Sequence, residues 1–326
     1  TLRRFSEAWN MAVTVSFRRN DLFPNDHPLF AGELGVANSD EQLMAFSSSD
    51  LIVAVGTRLG DITTQGFSFP TPPRSRQPLI HVHASQRVLG ALFACEVAIP
   101  ADPITFLQQL LDRNGRAPAG RDVWNVRLSE NRRQVAHWSP RHARDGVPMN
   151  NVIHRVGQLL PADAIVATDA GIHAGGVYRY IAYSASRRLL APVSGSMGYG
   201  MPAGVAAALR YPGRKVVVFV GDGGFLMTGS ELATAVQHRL PVCVVLSNNR
   251  SYGSVRVWQE RDYPGRLVGT DLHNPDFAAL ANAYGARGYR IDSNDDIDRV
   301  LEPALAEPGP TLIEVRSSLE VNFPKR

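Results

Sequence analysis

Short, dense apolar runs alternate along this chain with longer segments in which apolar residues recur every three or four positions, the periodicities of buried strands and of one-sided helices. The most regular stretch begins at Met149. It predicts helices over 150–160, 202–209, 231–238 and 276–284, interleaved with strands over 164–168, 215–220, 241–247 and 311–315. The runs Val216-Val217-Val218-Phe219-Val220 and Val242-Cys243-Val244-Val245-Leu246 lack the polar alternation of a sheet with one wet face. Such strands, separated by helices, predict a parallel sheet covered on both sides. Upstream, 51–56 and 78–83 read as two further strands. A helix over 103–111 opens with Pro103 after Asp102 and stops at Asp112-Arg113-Asn114-Gly115. The expected fold is α/β, with two three-layer α/β/α domains and mainly parallel sheets. The domains span 1–113 and 149–326, and a polar, arginine-rich linker over 114–148 carries one helix at 123–137.

Composition narrows the function classes. At 326 residues the chain is about twice the ~150 that one domain needs, and 44% hydrophobic with 20% charged residues is ordinary globular usage. Its apolar runs are strand-length, far below the ~20 residues of a membrane-spanning helix. The net charge of +4 comes from 32 arginines and two lysines spread along the chain. That dispersal lacks the clustering of a nucleic-acid footprint, so neither nucleic acid nor membrane is an expected partner. Cys95 and Cys243 sit in apolar surroundings, which suggests free thiols in a reducing compartment, the cytoplasm by default. The chain starts at Thr1 with no charged and apolar leader, as a fragment would.

In open parallel sheets ligands bind beyond the carboxyl ends of the strands. After the strand at 216–220 comes Gly221-Asp222-Gly223-Gly224, and after 242–246 comes Ser247-Asn248-Asn249. A right-handed crossover with one helix between them brings both ends to the same edge of the sheet. Asp222 and Asn249, 27 positions apart, become spatial neighbours. A carboxylate beside an amide oxygen is a hard-oxygen donor set, suited to magnesium or calcium rather than zinc. Gly223 and Gly224 allow backbone amides to approach a phosphate. The combination predicts a phosphate-bearing cofactor bridged by a divalent ion.

Gly221-Asp222-Gly223, followed after 24 residues by Asn248-Asn249, resembles the thiamine diphosphate motif of the pyruvate-oxidase and acetolactate-synthase superfamily. The resemblance runs along most of the chain. Phe23-Pro24-Asn25-Asp26-His27-Pro28 and Gly56-Thr57-Arg58-Leu59 look like its central domain. Thr168-Asp169-Ala170-Gly171 through Arg316 look like its diphosphate-binding domain, with Gly195-Ser196-Met197-Gly198-Tyr199-Gly200-Met201-Pro202 and Asn274-Pro275-Asp276-Phe277 similar to acetolactate synthase-like proteins. The resemblance implies that Asp222, the Asn249 side chain and the Ser251 carbonyl hold Mg²⁺. It implies that Gly171, His173, Gly221, Gly223, Gly224 and Tyr252 surround thiamine diphosphate, with Met197 beneath the bend between its rings and the Gly195 carbonyl on the aminopyrimidine. Trp258 aligns with a tryptophan that shapes the acceptor pocket. The implied activity is decarboxylation of a 2-oxo acid such as pyruvate, followed by ligation to a second carbonyl compound, with the cofactor absorbing the electrons. Protonation or oxidation are alternative fates, and a non-catalytic assembly subunit is an alternative of another class.

Two departures from the family qualify these expectations. The glutamate that contacts the pyrimidine comes, in the family, from a separate domain of a neighbouring subunit. Nothing here resembles that domain, and Glu33 and Glu231 read as surface or helix-start carboxylates. The chain is thus expected to be a fragment, inactive alone, of a homodimer or homotetramer. Where relatives that carry flavin show acidic residues after the strand at 80–82, this chain has His83-Ala84-Ser85-Gln86, so bound FAD is not expected. His81 and His83 share a strand face without a third ligand and read as structural.

Overall fold

The computed structural model describes residues 1–35, 38–113, 117, 119–184 and 186–320. The chain divides into two compact units, Thr1–His137 and Trp138–Arg326. The first unit runs α1 (Leu2–Trp9), β1 (Val13–Ser16), β2 (Phe30–Leu34), α2 (Asp40–Ser47), β3 (Ile52–Val55), β4 (Leu79–His83), β5 (Val97–Pro100), α3 (Pro103–Asp112) and α4 (Asp122–Ala136). All of its described strand pairs are parallel, as expected, and they form two sheets, β1-β2 and β3-β4-β5. A side-chain bond links them: Ser16 Oγ donates to Thr57 Oγ1 at 2.9 Å.

The start of α3 follows its sequence signals, with Asp102 accepting from the Ile104 and Thr105 amides and Pro103 in the first turn. Its expected stop, Asn114-Gly115, lies outside the described residues, as do residues 116 and 118 of the expected linker. The linker helix α4 packs into the first unit, because Leu128 is buried among Ala31, Leu34, Ala45 and Phe46. Burying a leucine fully stabilises by about 1.5–3 kcal/mol, enough to hold an otherwise polar helix. Glu33 lies half-buried in β2, whereas Glu231 opens a helix as expected.

The second unit runs α5 (Met149–Leu159), β6 (Ile165–Thr168), α6 (Ala174–Tyr180), β7 (Arg188–Leu190), α7 (Gly200–Arg210), β8 (Val216–Gly221), α8 (Asp222–Thr228), α9 (Glu231–Gln237), β9 (Val242–Asn248), α10 (Gly253–Asp262), α11 (Phe277–Tyr284), β10 (Arg287–Ile291), α12 (Asp296–Ala306) and β11 (Thr311–Arg316). Its six strands form one all-parallel sheet in the order β10-β11-β9-β8-β6-β7. The two valine-rich runs are the adjacent central strands β8 and β9, with every residue from 216 to 220 and from 242 to 246 fully buried. One difference from expectation matters for the site. The β8–β9 crossover holds two helices, because the chain enters α8 at Asp222 and breaks at Gly229-Ser230 before α9.

Candidate functional site

Strands β9, β8 and β6 lie side by side, so the segments following their carboxyl ends converge. They line one cleft with Gly171 and His173 after β6, Gly221 at the end of β8 with Gly223 and Gly224 after it, and Asn249, Ser251 and Tyr252 after β9. Met197 reaches the cleft from the loop before α7, and Gly253, Ser254 and Val255 bring the first turn of α10. Of the other expected residues, Asp222 is buried just behind the lining. Gly195, in a left-handed turn at φ 77°, and Trp258, half-exposed under the Arg261 guanidinium, lie outside it.

Asp222 begins α8 and is 2% exposed. Its Oδ1 accepts from the Gly223 amide at 2.9 Å and its Oδ2 from Asn274 Nδ2 at 2.8 Å. Burial raises its pKa, opposed by those bonds and by the amides of Arg250 and Ser251. The turn after β9 therefore lies near the carboxylate, with its Arg250 amide donating to Asn248 Oδ1 at 3.3 Å. The turn is held tightly: Asn249 Oδ1 accepts from the Ser251 amide at 3.0 Å, and Arg250 takes a left-handed φ of 55°. Ser251 Oγ and the Tyr252 amide both donate to the Thr270 carbonyl, at 3.0 and 2.8 Å.

The donor set suits a hard cation. Among the described residues no group of three or more His, Cys, Asp or Glu side chains could hold a metal. The arrangement around Asp222 instead offers one buried carboxylate with amide and carbonyl oxygens, and a carboxylate whose charged form is disfavoured by burial is one that a divalent ion would stabilise. The glycines are a second fit. A Cβ at Gly171, Gly223, Gly224 or Gly253 would come within 2.6 Å of His173, 2.5 Å of Tyr252, 2.0 Å of Asp169 or 2.9 Å of Ile172. No side chain larger than hydrogen fits there without moving those groups.

His173 is fully buried, with its pKa pulled down to about 4 by burial, against the attraction of Asp169 and a bond to the Phe219 carbonyl. The ring is therefore neutral near neutrality, and its Nε2 is buried without a partner.

Sequence reasoning assigned no role to four contributors, three of which it quoted only within motifs. Asp169, completely buried, accepts from the amides of Gly198, Tyr199 and Gly200 at 2.9, 2.8 and 3.3 Å, and so holds the loop that carries Met197. Its position directly after β6 was the available signal. The others are Asn248, Asn274 and the first turn of α10, whose Tyr252-Gly253 start carries little helical periodicity.

Comparisons with known proteins agree with this geometry. Residues 169–315 match the family described as thiamine pyrophosphate enzyme, C-terminal TPP binding domain, and residues 1–110 match thiamine pyrophosphate enzyme, central domain. The chain is 30% identical over 316 residues to the acetolactate synthase isozyme 2 large subunit of Escherichia coli, covering 96% of this chain and 56% of that protein. It is 31% identical over 315 residues to the acetolactate synthase large subunit of Lactococcus lactis, covering 96% and 54%. It is 27% identical over 363 residues to the sulfoacetaldehyde acetyltransferase of Castellaniella defragrans, covering 99% and 59%. The chain thus spans about half the length of the curated relatives it matches.

Proposed function

Because this chain belongs to the thiamine pyrophosphate enzyme family, we propose that it is the metal- and diphosphate-binding part of an acetolactate synthase-like enzyme. The reaction is decarboxylation of a 2-oxo acid such as pyruvate, with the remaining two-carbon unit joined to a second carbonyl compound. The observation that carries this reading is the convergence, at the ends of the adjoining strands β8 and β9, of Gly223 and Gly224 beside the buried Asp222 with Asn249 and Ser251 in one cleft.

Thiamine diphosphate, when bound, supplies a thiazolium ring that takes up the electron pair released by decarboxylation. The residues of this chain bind and orient. Asp222, the Asn249 side chain and the Ser251 carbonyl would hold Mg²⁺, offsetting the diphosphate charge. Gly171, His173, Gly221, Gly223, Gly224 and Tyr252 would surround the diphosphate, and the first turn of α10 adds amides that favour an anion. Met197 would support the bend between the cofactor rings, and the Gly195 carbonyl would accept from its aminopyrimidine. Neutral His173, whose single N–H is taken by the Phe219 carbonyl, leaves Nε2 as an acceptor and brings no proton-transferring imidazolium. Trp258, on the exposed face of α10, would meet the acceptor only once another segment covers it.

The intact protein is proposed to be a homodimer or homotetramer working in the cytoplasm. Among the described residues no helix is long and apolar enough to cross a membrane. A second reading, acetyl transfer of the kind named for the sulfoacetaldehyde acetyltransferase relative, is favoured by that protein's match over 99% of the chain.

Calorimetric titration of thiamine diphosphate with Mg²⁺ tests the site. Asp222→Ala should abolish the Mg²⁺-dependent heat, and an unchanged affinity would refute the metal assignment. Assaying the full-length gene product against a panel of 2-oxo acids, with carbon dioxide and ligated product both measured, tests the reaction. Carbon dioxide without ligated product would replace carboligation by simple decarboxylation, and neither product would favour a non-catalytic assembly subunit.

A further inference from the structure

Behind the cleft, a polar chain, buried at Asp222, Asn248 and Glu314 and half-buried at Asn274, runs from Asp222 past the end of β9 to β11. Glu314, 3% exposed, stands on β11 in register with Leu246. Its Oε1 accepts from Asn248 Nδ2 at 2.7 Å. Asn248 Oδ1 in turn accepts from Asn274 Nδ2 at 2.8 Å, and the same Nδ2 donates to Asp222 Oδ2 at 2.8 Å. Both ends of the chain are carboxylates, which when ionised only accept. That fixes both amides between them. Asn248 must turn its nitrogen to Glu314 and so its oxygen to Asn274, and Asn274 must then present its nitrogen to Asn248 and Asp222 together. Reversing either amide would set oxygen against oxygen where little water can replace the lost bond. Asn274 Oδ1 is left buried with no partner, an acceptor beside Asp222 that a donor entering with a cation would satisfy.

We propose that Glu314 is a positioning residue of the metal site: acting through Asn248 and Asn274, it fixes the amide that orients the Asp222 carboxylate. This rests on Asp222 being a metal ligand. Glu314 also has a structural share, since its Oε2 accepts from the Ala278 amide at 3.3 Å and from Arg290 at 3.4 Å. The test must separate the two roles.

Mn²⁺ binding to residues 1–326 in the presence of thiamine diphosphate, read by electron paramagnetic resonance, does so. Asn274→Ala, on the loop before α11, should weaken Mn²⁺ binding by roughly 10-fold or more, the usual size for an outer partner of a metal ligand. Glu314→Gln keeps its oxygen toward the Ala278 amide and Arg290, both donors, and so sets its nitrogen against Asn248 Nδ2, which undoes the amide orientation and should also weaken binding several-fold. In the double variant Glu314→Gln should add nothing to Asn274→Ala, because the link it acts through is gone. An unchanged affinity in Glu314→Gln, or a loss that repeats in the Asn274→Ala background, would overturn the proposal. Asp222→Ala distinguishes the failures. If it leaves Mn²⁺ binding intact, the metal site itself is wrong and the relay with it. If it abolishes binding while Asn274→Ala and Glu314→Gln do not weaken it, the relay alone is wrong.

Discussion

The Tyr252 ring lies against Gly223 so closely that a methyl group on residue 223 would stand 2.5 Å from Tyr252 Cε1, with Met197 Cε at 3.3 Å. Residue 223 is also inside α8, where alanine is intrinsically favoured over glycine by up to about 1 kcal/mol. The Tyr252 ring can swing aside, since it belongs to a half-exposed side chain. Gly223→Ala should therefore keep or raise the melting temperature while weakening thiamine diphosphate binding about 10-fold or more, roughly 1.4 kcal/mol. Calorimetry alongside a thermal melt checks this, and unimpaired binding would mean that the ligand does not approach residue 223.

Gly224→Ala should behave in the opposite way. Its Cβ would stand 2.0 Å from Asp169 Oδ2, and that carboxylate is locked by the amides of Gly198, Tyr199 and Gly200. Nothing flexible can yield. A loss of about 2–4 kcal/mol in urea unfolding is expected from overpacking and broken buried hydrogen bonds, and a loss below about 1 kcal/mol would show that the Asp169 clasp is softer than its bonds imply.

His173 should make stability fall on the acid side. Its folded-state pKa of about 4 lies below the ordinary 6.5, so between these values the unfolded chain takes up a proton that the native ring refuses. The contribution is full above the unfolded value and is lost as pH falls toward 4, by up to about 3 kcal/mol. Urea midpoints measured from about pH 7.5 down to pH 5 should decline, and His173→Gln should flatten that decline. An identical slope in the variant would assign the acid sensitivity to other groups.

Supplied with Mg²⁺ and thiamine diphosphate, residues 1–326 should bind the cofactor without matching the pyruvate turnover of the full-length product. Among the described residues that line the cleft none carries a carboxylate, and a missing positioned acid or base typically lowers rates by about 10²–10⁴. Equal turnover would show that these residues suffice.

Much of the second unit was legible because its physics is local. The valine-rich runs became β8 and β9, and helices formed within a residue or two of 150–160, 202–209, 231–238 and 276–284. The edge strands were not legible. Arg188-Leu189-Leu190 is three residues long, and Arg287-Gly288-Tyr289-Arg290-Ile291 is only partly buried, so neither carries a strong apolar signal. In the site, Asp222 and Asn249 announced themselves by standing directly after buried strands. Asn274 and Glu314 did not, because their roles exist only through partners 26 to 66 positions away. Asp169 lay between these cases, visible as a strand-end residue but with its task, holding the 198–200 amides, hidden in the fold.

The strand order also governs when the cleft can come into being. Its walls are contributed by residues from 170 to 255, and the turn that carries Ser251 is pinned to Thr270. None of these segments meets another until β6, β8 and β9 are aligned in register, and parallel pairing closes long loops before any contact repays them. Cofactor binding during refolding would then track completion of the sheet rather than formation of any helix, and ligand-detected recovery should lag behind recovery of helical ellipticity.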